Sequence, residues 1–227
     1  MGNKPYIICH MMTSVDGRID CAMTEHLPGV QEYYATLDAL AAPTRVSGRV
    51  TAELEMALPG AFRSETITPL GHEAWSRAAA ADGYEIVVDT HGTLLWDPAA
   101  EERPLLIVTA EQVSREYLAY LDGLGISWIA CGRERIDLVR ACAILAAEFG
   151  VARMAVVGGG LINAGFLAAG LLDEVSLLIG AGIDGRGGMG VVFDGLPQER
   201  GVTQLRLTDV QRYDSGAVWL RYDVAGR

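Results

Sequence analysis

From residue 84 onward, apolar runs too short to be helices alternate with stretches of helical periodicity, and few folds accommodate that alternation. YEIVVD (84–89), PLLIVT (104–109), ISWIAC (126–131), ARMAVV (152–157) and DEVSLLIG (173–180) each have the length and β-branched content of a buried strand. Helices are expected between them, at 112–122, from Asp137 to Gly150, and at 161–169. Asp137 suits an N-cap, Leu138, Cys142, Leu145 and Phe149 fall on one face, and Gly170 suits a C-terminal cap. Strands connected through helices run mostly parallel and are covered on both faces. The end of the chain differs. Residues 203–224 read as two strands joined around Asp214-Ser215-Gly216, an antiparallel hairpin.

Upstream, residues 5–11 read as a buried strand followed by a tight turn at Ser14-Val15-Asp16-Gly17. A helix is expected over 30–41, stopped by Pro43, then a short strand at 44–48 leading into a short helix through RVTAELEMAL. Residues 59–83 have no clean period and read as a long connection with a helical stretch near Glu73–Ala81. With no linker, repeat or low-complexity segment, a single α/β domain over residues 1–227 is expected, its central sheet mainly parallel and flanked by helices, with the antiparallel hairpin at its C-terminus.

Bulk properties narrow the function classes. A net charge of −11, from 18 basic and 29 acidic residues, opposes nucleic-acid binding, which needs a basic face. No apolar run approaches the roughly 20 residues that span a bilayer, and the N-terminus lacks the long apolar segment of a secretion signal, so a cytoplasmic protein is expected. Cys9, Cys21, Cys131 and Cys142 are widely spaced, which points to reduced thiols rather than a disulfide framework or a metal site. His10, His26, His72 and His91 share no ligand spacing.

The stretch AVVGGGLINAGFL carries the strongest chemical signal. A strand ends, three glycines follow, and a helix opens. Glycine lets a phosphate approach the backbone, and a helix N-terminus offers free N–H donors with about half a positive charge. The alternative is a tight strand-to-helix turn without a ligand. A second glycine pattern, Gly180 to Gly185, matches GxGxxG after a strand, but more glycine follows it and no helix opens, so 180–190 reads as a mobile loop or flap. Gly48-Arg49-Val50-Thr51 marks another strand-to-helix junction, where Thr51 caps the helix or donates to a phosphate and Arg49 pairs with one. Arg133 and Arg135, after the third of the later strands, suit an extra phosphate such as the 2′-phosphate of NADPH, or form a solvated charge cluster. Thr13, Ser14 and Asp16 follow the first strand. Asp16 is an acid, a substrate anchor, or simply the holder of its own turn.

Together these pieces resemble the bacterial and archaeal pyrimidine reductases of riboflavin biosynthesis, which share the dihydrofolate reductase fold. The resemblance covers nearly the whole chain. It rests on SVDGRID (14–20), GRVTAE (48–53), VVDTHG (87–92) and the continuous VVGGGLINAGFLAAGLLDEVSLLIGAGIDGRGG (156–188). It implies that Thr13 and Ser14 lie beside nicotinamide and substrate and that Thr51 binds cofactor. Glu55 stands where the family usually has an aspartate near the cofactor. Gly158, Gly159 and Gly160 with Leu161 and Ile162 match the pyrophosphate turn, and Thr109 and Gly132 border the adenosine half. A homodimer without metal is implied as well. The chain departs from the family at Val157, where the pathway reductase has a glutamate that contacts substrate. Helix 30–41 carries no arginine to grip a ribityl phosphate, and Arg63 is a loose candidate.

The resulting expectation is a reductase that transfers hydride from NADPH to a C=N or C=C bond of a small, cyclic substrate, with Ser14 and Asp16 as catalytic candidates. Its alternatives are the pathway reductase for the ribosylamino-pyrimidine phosphate, and a noncatalytic NADP(H)-binding sensor.

Overall fold

The computed structural model describes residues 4–225. They form two compact units, one from residues 4–5 and 43–154, the other from residues 6–42 and 155–225. The second unit takes its strands from both ends of the chain. The chain changes units after residues 5, 42 and 154, the last within a strand, and no linker marks a boundary.

In the unit of residues 43–154, β2 (Thr44–Gly48) is followed by α3 (Arg49–Glu55), and β3 (Ala74–Ser76), β4 (Glu85–Val88), β5 (Leu105–Thr109), α4 (Arg115–Gly123), β6 (Ser127–Ala130) and α5 (Leu138–Glu148) come after them. The strand order is β3-β6-β5-β4-β2. β2, β4, β5 and β6 pair in parallel, and β3 joins the β6 edge antiparallel. The alternation read from the sequence holds through this unit. Ser114 and Asp137 cap α4 and α5, accepting from the N–H groups of Tyr117 and Arg140. One expectation fails: the stretch near Glu73–Ala81 is not helical. Ala74–Ser76 pairs with Ala130–Trp128, and the N–H of Ala78 donates to Ser127 Oγ at 3.1 Å. A three-residue edge strand is too short to show a period, and the β6 ladder selects it over the helix propensity of the alanines that follow. The core gathers Val87, Trp96, Ile107, Tyr117, Leu121 and Ile126, all buried. Each such side chain contributes roughly 1.5–3 kcal/mol on burial. The polar tips are satisfied, since Trp96 Nε1 donates to Tyr117 Oη at 3.0 Å and Tyr117 Oη donates to the Leu94 carbonyl at 3.1 Å.

The other unit holds β1 (Tyr6–Thr13), α1 (Cys21–Thr24), α2 (Val30–Ala39), β7 (Arg153–Gly158) from Ala155 on, α6 (Gly160–Ala168), β8 (Glu174–Ile179), β9 (Leu205–Arg212) and β10 (Val218–Val224). Its strand order is β7-β1-β8-β10-β9. β1 and β8 are parallel, and β10 turns the sheet antiparallel toward β9. The C-terminal hairpin is thus present as read. α2 ends before Pro43, through Ala41 in the left-handed region at φ 49°. Ile8, Met12, Leu40, Leu178 and Trp219 form its core. Beside them lies a buried polar chain. Trp219 Nε1 donates to Ser176 Oγ at 2.7 Å, Ser176 Oγ lies 2.9 Å from His10 Nδ1, and the His10 ring stacks on Tyr33. Thr36 Oγ1 gives its proton to the Tyr33 carbonyl, so His10 Nε2 is the donor across the 3.3 Å to Thr36. His10 is a core histidine, neither ligand nor base.

Candidate functional site

In the unit of residues 6–42 and 155–225, the site grows from the ends of β1 and β8. Their register aligns Thr13 with Ile179, so both strands release their following loops at one edge. Open parallel sheets receive ligands at such edges. The two loops are laced together. The Val15 N–H donates to the Gly182 carbonyl at 2.8 Å and the Ile19 N–H to the Gly190 carbonyl at 3.2 Å, while Arg18 bridges to Val191. Arg18 Nη1 also donates to the Met189 carbonyl at 2.8 Å.

Asp16 is the knot of this lacing. Its carboxylate accepts from Ser14 Oγ at 2.7 Å and from the N–H groups of Asp184 and Gly185, each at 3.0 Å. The Ser14 hydroxyl, then those two backbone donors, hold the Asp16 carboxyl well below the usual carboxylate range. It accepts three hydrogen bonds from the loop pair. Ser14 is buried and fully engaged, since it also accepts from the Arg18 N–H at 3.1 Å. Thr13 is buried and its hydroxyl donates to the Ser14 carbonyl. The three residues singled out after the first strand thus come together, as the frame of a loop pair. The structure supplies the partner that the sequence does not reveal, the segment 182–191. No sequence signal links positions so far apart in the chain.

The glycine turn lies at the end of β7. Gly159 caps α6 at φ 83°, the left-handed region that favours glycine. Gly160 opens the helix, and a Cβ there would lie 2.2 Å from the Val191 carbonyl oxygen. Among the described residues no side chain caps α6 and its first turn carries no acidic residue, while Asp194 packs against Gly160 from the 191–194 segment. Leu161 is exposed. Asn163, one turn on, is buried. Its Nδ2 donates to the Val192 carbonyl at 2.8 Å while its Oδ1 is left without a partner. Bare N–H groups, the positive end of the helix and close backbone access fit a phosphate group of a dinucleotide. The second glycine pattern opens no helix, as expected. Gly180 and Gly182 make room for Leu27.

The other candidates lie in the unit of residues 43–154. Thr51 is the third residue of α3 and half-buried, and Gly48 holds the N-cap position, so Thr51 does not cap the helix. Arg49 pairs with Glu53 at 2.6 Å on the exposed face. Glu55 is exposed at the end of α3, and Arg133 is exposed after β6. Thr109 is fully buried, its hydroxyl donating to the Ile129 carbonyl at 3.3 Å. Gly132 sits at φ 81°, and a Cβ there would lie 2.2 Å from the Arg135 carbonyl oxygen, so the turn itself requires glycine. The Gly132 N–H donates to Glu111 Oε1 and its carbonyl accepts from the Glu111 N–H, and the Thr109 carbonyl accepts from the Cys131 N–H, so these groups are engaged within the fold.

Residues 5–219 match the family described as the RibD C-terminal domain. The chain belongs to that family. These are riboflavin-biosynthesis reductases with a dihydrofolate-reductase-like fold, and the chain is accordingly of an oxidoreductase family. Among solved structures, it is similar to a pyrimidine reductase-like protein of Corynebacterium diphtheriae, at TM-score 0.73 and 18% identity over 99% of this chain and 94% of that one. It is also similar to RibD of Acinetobacter baumannii, at 0.69 and 18%, covering 99% of this chain and 59% of that one. The riboflavin biosynthesis reductase Rib7 of Saccharomyces cerevisiae follows at 0.64 and 16%, covering 99% and 92%. At these identities the likeness shows the shared fold.

Proposed function

We propose that this chain is an NADPH-dependent reductase acting on a C=N or C=C bond of a small cyclic substrate. The observation that carries the reading is the α6 N-terminus: an uncapped helix end opening on a left-handed glycine, in a family of reductases. In this reading the N–H groups of Gly160, Leu161 and Ile162 hold the pyrophosphate. Once bound, the dihydronicotinamide supplies the hydride. The loop pair framed by Thr13, Ser14 and Asp16 orients the acceptor. Asp16, kept ionised, is assigned to positioning rather than to proton transfer, and water is the proton source. Arg49, Thr51, Glu55, Thr109, Gly132 and Arg133 are assigned to the cofactor by the family resemblance, Arg133 and Arg49 to its charged groups.

Titrating the protein into NADPH and into NADH while following nicotinamide fluorescence tests the cofactor. Saturable enhancement with NADPH is expected, and no response to either nucleotide would remove the reading. The pathway reductase is the second reading, favoured by the family match over residues 5–219. It predicts rescue of a strain lacking that enzyme.

The resemblance also implies a homodimer. Every residue of β9 is exposed, and Leu205, Leu207 and Val210 present apolar side chains along this edge strand. An open, partly apolar edge of eight residues is a surface that soluble proteins usually cover. Sedimentation should return about twice the mass of the chain, and Leu207→Glu should halve it. Among the described residues no helix is long and apolar enough to cross a membrane. Residence in the cytoplasm is part of the proposal.

A further inference from the structure

The loop pair after β1 and β8 borders a cavity of about 360 Å³, lined by Met23, Leu27 and Ile183 on its apolar side and by His26, Asp184 and Arg186 on its polar side. Arg186 is the cation within this lining, and it is committed. Its Nε donates to Asp184 Oδ1 at 2.5 Å and its Nη2 to Asp20 Oδ2 at 2.6 Å. Asp184 and then Asp20 hold its proton more firmly than usual. The other arginine of the loop pair, Arg18, donates to the Met189 carbonyl and lies 3.8 Å from Asp16. Over residues 14–20 and 180–190, Asp16, Asp20 and Asp184 outnumber Arg18 and Arg186, so the loops carry a net negative charge. A phosphomonoester entering the cavity would lose hydration while the arginine in its lining is already paired, an unfavourable exchange.

The apolar content points the same way. Val15 and Ile183 are 62% and 75% exposed, and the Val15 N–H bond to Gly182 holds them on neighbouring turns. Ile183 lines the cavity and Val15 stands on the adjoining turn, and two exposed aliphatic side chains are the surface a flat, uncharged ring would cover. We infer that this cavity receives the acceptor, and that it selects an uncharged, unphosphorylated ring compound over its phosphomonoester. The inference rests on the reductase reading and deepens it by naming the class of acceptor.

The test uses isotope-labelled full-length protein saturated with NADPH, with uridine and uridine 5′-monophosphate as matched probes. Nicotinamide fluorescence on the same sample reports cofactor binding, so loss of the reductase reading is seen separately. Uridine is expected to shift the backbone amide signals of Val15, Gly182 and Ile183, with a Kd at least tenfold below that of the nucleotide. Asp20→Asn with Asp184→Asn, which frees Arg186, should bring the nucleotide's Kd down at least tenfold relative to that of uridine. Tighter binding of the nucleotide to the unaltered protein, or no shift of those amides by either probe, overturns the inference.

Discussion

At Gly160 an added Cβ would meet the Val191 carbonyl oxygen at 2.2 Å, whereas Gly159 is glycine because its φ is 83°. Two neighbours in one run thus have different reasons. The run reads as a phosphate cradle in sequence, but part of its glycine content serves the 191–194 segment. That segment also donates the Asp194 N–H to the Gly160 carbonyl at 3.2 Å. The anion signal is the bare helix end, not the glycine count. Gly160→Ala should therefore lower stability by about 1–3 kcal/mol, the range for overpacking against atoms that cannot move freely. Its urea midpoint should fall accordingly, and an unchanged midpoint would show that the 191–194 segment yields. Asp16 teaches the same lesson. Its sequence context allows an acid, an anchor or a turn holder, and its bonds to the N–H groups of Asp184 and Gly185 come from a segment that context does not reveal.

Among the elements, those with strong local signals are legible in the sequence. α5 shows why. Asp137 accepts from the Arg140 N–H at 3.0 Å, and Ala141, Cys142, Ile144 and Leu145 turn inward along one stripe. Capping and periodicity are properties of a short run of consecutive residues, so they survive without tertiary information. Replacing Asp137 with Ala should cost about 1 kcal/mol, read as a lower thermal midpoint, with Asp137→Asn recovering most of it. β3 is the opposite case. Nothing in Ala74–Ser76 announces a strand, and the β6 backbone alone makes it one. The loop 180–190 is recognisable as irregular from its glycines, but its attachment to residues 14–20 is not.

For the whole molecule, charge burial sets the pH response. Glu85 begins β4, is 8% exposed, and lies beside Arg45, its register partner, with Arg103 Nη1 at 3.9 Å. Burial pushes its carboxyl up to about 7, against the pull of Arg45 and Arg103. In the unfolded chain a glutamate titrates near its usual value of about 4.3. Between these values the folded state keeps a proton that the unfolded state has released, so stability falls as pH rises from about 4.5 to 7. Glu85→Gln should match the unaltered protein at about pH 4 and exceed it by roughly 1–3 kcal/mol at about pH 8. Urea unfolding at several pH values measures this, and a pH-independent difference would assign the effect to packing. The sequence by itself determined the strand and helix alternation, the C-terminal hairpin, the family and the glycine turn, because each is encoded within a few consecutive residues. Only the tertiary structure decided that the chain forms two compact units from interleaved segments, that β3 is a strand, that Ser14 and Asp16 tie the loop after β1 to segment 182–191, and that Arg186 is paired with Asp184 and Asp20. Those outcomes depend on groups far apart in the chain meeting in space, and local propensity carries no record of such meetings.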